Sequence, residues 1–129
     1  MSPPVGDISA LAATAGPLIG LDPGTKTVGV AVSDALRMAA TALETIRRTR
    51  LAADLARLAE IARSRGAAGV VVGLPRNMDG SEGPRAQSAR AFARSVEERL
   101  GLPVALWDER LSTRAAERTL LEADSSRKR

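Results

Sequence analysis

The sequence predicts an α/β domain, a mixed sheet with helices on its faces. Three observations carry this. Elements read in the order βββαβαβα along the chain. The run Gly69–Pro75 (GVVVGLP) is continuously apolar and β-branched, the mark of a strand buried on both faces. The first three strands are joined by turns, and the last two by stretches of helical length. At 129 residues the chain has material for one domain with one core.

Met1 to Pro17 is rich in Ala, Pro, Ser and Gly and is expected to form a flexible lead, with a short helix near Ile8–Ala13. Leu18–Asp22 (LIGLD) is a short apolar run ending in a carboxylate, and Pro23–Lys26 (PGTK) is turn chemistry. Thr27–Asp34 (TVGVAVSD) alternates Val28, Val30 and Val32 with Gly29 and Ala31, so the two runs read as an antiparallel hairpin. Met38–Ile46 is a weaker third strand. Leu51, Leu55, Leu58 and Ala62 recur at helical spacing, with Gly66 placed to cap that helix. The fourth strand is Gly69–Pro75. Pro84 then suits a first helical position, and Ala89, Phe92, Val96 and Leu100 make one apolar stripe ended by Gly101. Pro103–Glu109 (PVALWDE) is a fifth strand. Ser112 or Thr113 can cap a last helix through Leu121. The domain is expected over 18–122, followed by a polar basic tail over 123–129.

Composition narrows the chemistry. With no cysteine and no histidine there is no thiolate nucleophile, no zinc-thiolate site and no imidazole base. A metal would be held by oxygen, which favours Mg²⁺ or Mn²⁺. The formal charge is +4, and arginine, whose planar fork suits phosphate, supplies most of the cations. No stretch approaches the roughly 20 apolar residues that span a bilayer. The N-terminus is a poor signal peptide, so a cytoplasmic protein without membrane contact is expected.

Crossovers of this kind are right-handed, and such a sheet carries its ligand at the carboxyl ends of its parallel strands. Asp22 ends strand one, the loop Gly73–Gln87 leaves strand four, and Asp108 and Glu109 end strand five, all on that edge. Geometry argues against Asp34, whose place is to end its strand. Strand two runs back for about seven residues at roughly 3.4 Å each, which puts Asp34 ~20 Å from Asp22. Asp108 and Glu109, as strand neighbours, point to opposite faces, and Glu109 has the longer reach. Asp22 and strand five are one strand apart, about 10 Å between backbones, a gap that a glutamate and an aspartate close around one or two cations. Each residue also has a plainer reading: Asp22 as a turn residue, and Asp108 and Glu109 as partners of Arg110, Arg114 or Arg118. In the loop, Asn77 and Asp79-Gly80 are turn formers, and a helix start lies beside Arg76 and Arg85, where an anion would be welcome.

Three motifs occur in order: "GLDPGTKTVGVAVSD", "VVVGLPRNMDGSEGPRA" and "DERLSTRAAE". Together they resemble the YqgF/RuvX family, relatives of Holliday-junction resolvases, from Leu18 to about Glu122. The resemblance implies an RNase H-like mixed five-stranded sheet of order 3-2-1-4-5, flanked by helices. It implies a metal-dependent nuclease that trims the 5′ end of the small-subunit ribosomal RNA precursor, or resolves branched DNA. Its catalytic and metal-binding positions fall on Asp22 and Glu109, with Asp108 as a further metal candidate and Mg²⁺ or Mn²⁺ as the ion. Substrate contacts are expected from Gly24, Thr25, Lys26, Arg76, Asn77, Arg85 and Arg110. The family continues into a further helical stretch with a third aspartate. This chain stops at Arg129, so either it is truncated relative to the family or another acid substitutes, with Asp108, Asp79 and Glu117 as candidates. Partners would be pre-ribosomal RNA or branched DNA, with a monomer or homodimer both open. A non-cleaving nucleic-acid-binding module of the same fold is the alternative, and a nucleotide-handling fragment is disfavoured by length.

Overall fold

The computed structural model describes residues 6–7, 11, 14–34, 36 and 39–108. Elements in chain order are β1 (Gly6–Asp7), β2 (Leu18–Pro23), β3 (Thr27–Ser33), β4 (Ala40–Arg47), α1 (Leu51–Arg65), β5 (Gly69–Leu74), α2 (Pro84–Leu100) and β6 (Val104–Asp108). They form a single sheet in the order β1-β6-β5-β2-β3-β4. Pairing is antiparallel for β2–β3 and β3–β4 and parallel for β2–β5, β5–β6 and β1–β6. Counted from Leu18, the order is the expected 3-2-1-4-5.

The segment before Leu18 differs from the expected lead. Gly6 and Asp7 extend the sheet beside Ala105 and Leu106. Leu11 is 1% exposed. It packs so closely on β5 that a Cβ added to Gly69 would lie 2.8 Å from its Cδ2. The expected helix over Ile8–Ala13 falls mostly outside the described residues, as do the last helix and the basic tail.

Period-two alternation sorts the sheet into a face covered by α1 and α2 and a face that no described helix covers. Ile19, Leu21, Val28, Val30, Val70, Val72 and Val104 are buried in one cluster with Leu55, Leu58 and Ile61 of α1 and Phe92 and Val96 of α2. Leu74 joins Ala86 and Ala89 of α2 in a smaller cluster. The helices therefore cover that face. Leu51, expected in the α1 stripe, is 48% exposed. It is the first helical residue and precedes the turns that reach the sheet. Gly66 closes α1 at φ 64°, a left-handed cap natural to glycine, and Pro84 opens α2.

Candidate active site

The carboxyl edge of β2, β5 and β6 also receives the end of β4, because β4 runs parallel to β2 across the meander. Register aligns the residues there. Asp22 pairs with Gly29, Gly29 with Thr45, and Gly73 with Trp107. Leu21 pairs with Val72 in parallel, so one step further sets Asp22 beside Gly73. This row lies on the face away from α1 and α2. It belongs to an open hollow of about 590 Å³ whose lining includes Asp22, Gly29, Gly73, Thr45 and Trp107.

Asp22 is exposed, and its carboxylate makes no hydrogen bond or ion pair among the described residues. Its Cβ lies 3.6 Å from where a Cβ on Gly29 would sit, so the glycine leaves one flank of the carboxylate clear. Glu44 also lines the hollow, but its carboxylate is committed to Arg57, Oε1 to Nη2 at 2.6 Å. That hydrogen bond holds the Glu44 carboxyl below the usual carboxylate range. Asp108 pairs with Leu74, and Leu74 faces α2, so Asp108 stands on the opposite face from Asp22. Glu109, Arg110 and Glu117 lie outside the described residues. No group of three or more acidic residues able to hold a metal occurs among the described residues. Asp34 follows Ser33, whose hydroxyl accepts the Leu18 N–H at 2.7 Å, so it sits at the start of β2, far from Asp22.

The loop 75–83 is largely satisfied within itself. Asn77 and Gly80 form a turn, with the Gly80 N–H on the Asn77 carbonyl at 2.9 Å and the Asn77 N–H on the Ser81 carbonyl at 2.9 Å. Gly80 has φ 91°, a conformation that side chains resist. The Asn77 side chain donates to the Ser81 hydroxyl at 3.0 Å. Asp79 Oδ1 accepts the Ser81 N–H at 2.9 Å and the Ser81 hydroxyl at 2.6 Å. Glu82 then ties the loop to α2: Arg90 grips it through Nε and Nη2, both at 2.7 Å. Arg76 Nη2 lies 3.4 Å from the same carboxylate.

The substrate residues expected from sequence therefore divide. Arg76 and Asn77 are engaged inside the loop. The Gly24 N–H closes its turn on the Thr27 carbonyl at 2.7 Å. Thr25, Lys26 and Arg85 are exposed, and Arg85 makes no ion pair among the described residues. The structure adds Gly29, Trp107 and Arg48 to this edge. One signal in the sequence could have found Arg48: in a meander, the third strand ends on the same edge as the first.

The family model described as RuvX, Holliday junction resolvase, matches residues 16–129. The chain belongs to the RuvX family. A relative from Cereibacter sphaeroides (strain ATCC 17025), named as an inferred pre-16S rRNA nuclease, is 68% identical over 114 residues, which cover 88% of this chain and 71% of that protein. One from Rhodobacter capsulatus, with the same name, is 61% identical over 127 residues, covering 98% and 80%. This RuvX chain therefore sits in a family of nucleases. Among solved structures, Thermus thermophilus RuvC in complex with a Holliday junction substrate superposes with a TM-score of 0.52 at 18% identity. The match covers 72% of this chain and 64% of the RuvC chain, so the RuvX chain spans a little under two thirds of RuvC. That likeness establishes the RNase H-like fold. No helix among the described residues is long and apolar enough to cross a membrane.

Proposed function

We propose that this chain is a metal-dependent nuclease that hydrolyses phosphodiester bonds in structured nucleic acid, with the 5′ region of the small-subunit ribosomal RNA precursor as substrate and the cytoplasm as its place of work. The observation that carries the reading is Asp22: an unpartnered carboxylate at the end of a central strand, beside two glycines and an open hollow. The names of the 61–68% identical relatives supply the substrate. A carboxylate that meets no cation among the described residues suits a hard divalent ion, Mg²⁺ or Mn²⁺. Asp22 would hold it, with Glu109 of the "DERLSTRAAE" motif as the second ligand. When bound, such an ion makes its water more acidic and stabilises the leaving oxygen.

The protein's own residues do the rest. Asp22 fixes negative charge at one point on the sheet edge. Gly29 and Gly73 keep bulk away from it, so that a phosphate can approach. Thr25, Lys26 and Arg85 orient the backbone of the strand to be cut. Branched DNA is the second substrate reading, favoured by the description of the family model.

The test compares cleavage of a 5′-extended ribosomal RNA fragment and of a four-way DNA junction, each with Mg²⁺, Mn²⁺ or chelator. The RNA should be cut, and only with metal; faster cutting of the junction would select the second reading. Asp22→Asn should slow cleavage by about a thousandfold or more, roughly 4 kcal/mol of barrier. Its melting temperature should move by no more than a few degrees. A variant that cuts as fast as the parent would remove Asp22 from the chemistry.

A further inference from the structure

A second recess opens on the other side of the β2–β3 turn from Asp22. It holds about 530 Å³ and lies between Gly24 and Thr25 of that turn, Arg48 and Thr49 after β4, and Arg85 and Ser88 at the start of α2. Arg48 is built into it from two directions. Its Nη1 donates to the Gly24 carbonyl at 2.6 Å. Its guanidinium carbon stands 5.2 Å from the ring centre of Phe92, which is itself buried in the core. A cation over an aromatic face is held electrostatically, so the guanidinium is fixed in place before any ligand arrives. Arg48 forms no ion pair among the described residues, and neither does Arg85 on the facing wall. Among the described residues, no acidic side chain lines the recess. One acid stands behind it: buried Asp54 accepts from the Thr49 N–H at 3.4 Å and from the Thr49 hydroxyl at 3.5 Å, long bonds that orient the Thr49 loop.

We infer that this recess is a phosphate-binding subsite, with Arg48 as its fixed anchor and Arg85 on its exposed wall. Two planar guanidinium forks and hydroxyls lining one recess, with no acid among its described lining residues, match the oxygens of a phosphate better than any neutral group. The inference rests on the nuclease reading and deepens it. Asp22 and Gly24 are separated only by Pro23, so a strand crossing this edge with one phosphate at Asp22 can place a neighbouring phosphate in the recess. The phosphate would come from the strand backbone or from a free 5′ end; the chemistry is shared.

Equilibrium binding of a fluorescently labelled structured RNA, with either a 5′-phosphate or a 5′-hydroxyl, tests the inference across a salt series. Arg48→Met keeps the apolar stem against Phe92 and removes the fork. It should weaken binding roughly tenfold and flatten the log–log salt slope by about 0.7 to 0.9, the share of one phosphate. Arg85→Gln, on the exposed helix start where folding is not at stake, should act in the same direction. Arg65→Gln, at the far end of α1, removes the same charge and should change affinity less than twofold. A loss on both RNAs assigns the subsite to a backbone phosphate; a loss on the 5′-phosphorylated RNA alone assigns it to the terminus. Unchanged affinity and slope in both Arg48→Met and Arg85→Gln, with a parent that binds, would overturn the subsite and leave the nuclease reading standing. A parent that binds neither RNA would end both.

Discussion

Two loops meet on the same edge of this sheet and use their polar residues in opposite ways. The turn Pro23–Lys26 is short, closes through backbone atoms, and leaves Asp22 before it and Thr25 and Lys26 within it facing solvent. The loop 75–83 is richer in charge, yet most of its polar side chains are taken: Asn77 by Ser81, Ser81 by Asp79 and Glu82 by Arg90 of α2, with Arg76 Nη2 3.4 Å from the same carboxylate. A polar loop is therefore a poor guide to chemistry on its own. Spent side chains hold a shape, and the unspent ones are left for a ligand.

The largest effect is expected at the turn. Gly29→Leu puts a branched side chain against Asp22, where even a Cβ would lie 3.6 Å from the aspartate's own. Cleavage should fall by about ten- to a hundredfold, roughly 1.4 to 2.7 kcal/mol of barrier, with the melting temperature held or raised, since leucine suits a strand better than glycine. Parent-like turnover in that variant would mean that substrate reaches Asp22 from another side. The loop should be far more tolerant. Asp79→Asn retains a carbonyl oxygen to accept from Ser81 and should leave cleavage within about tenfold, or ~1.4 kcal/mol. If it instead matches Asp22→Asn, Asp79 is part of the catalytic centre and the contrast between the two loops collapses.

The smallest effect concerns acid. Hydrogen bonds from Arg90 hold the Glu82 carboxyl below the usual carboxylate range, against the opposing pull of burial. A carboxyl lowered in the folded state contributes stability above its unfolded value, near pH 4.3, and loses it as pH falls through the lower folded one. Amide protection over 76–82, corrected for intrinsic exchange, should accordingly be full at neutral pH and decline only below about pH 4. Glu82→Gln should show the reduced protection at neutral pH already. Equal protection in parent and variant would show that the loop keeps its shape without the clamp.

Much of the fold was legible because local chemistry and global packing agree. The β-branched run Gly69–Leu74 is a central strand, Pro84 opens α2, and Gly66 and Gly101 end their helices. The two-residue β1 was not, since Gly6 and Asp7 carry no alternation and pair only because β6 offers them an edge. In the candidate site, the position of Asp22 near the end of β2 could be read from the apolar run before it. The internal commitments of Arg76 and Asn77 could not, because turn composition does not say which donors find partners. Arg48 was hidden for a different reason: its anchor, Phe92, is 44 residues away and lies on another element.

Trp107 carries a consequence of its own. It is the single tryptophan of a chain without tyrosine, and it lines the hollow that Asp22 faces. Near-ultraviolet fluorescence of the whole molecule thus comes from one indole beside the proposed metal site. The protein has its own optical gauge there: a cation or a nucleic-acid strand settling at Asp22 would alter the polarity and quenching around that ring, with no label attached.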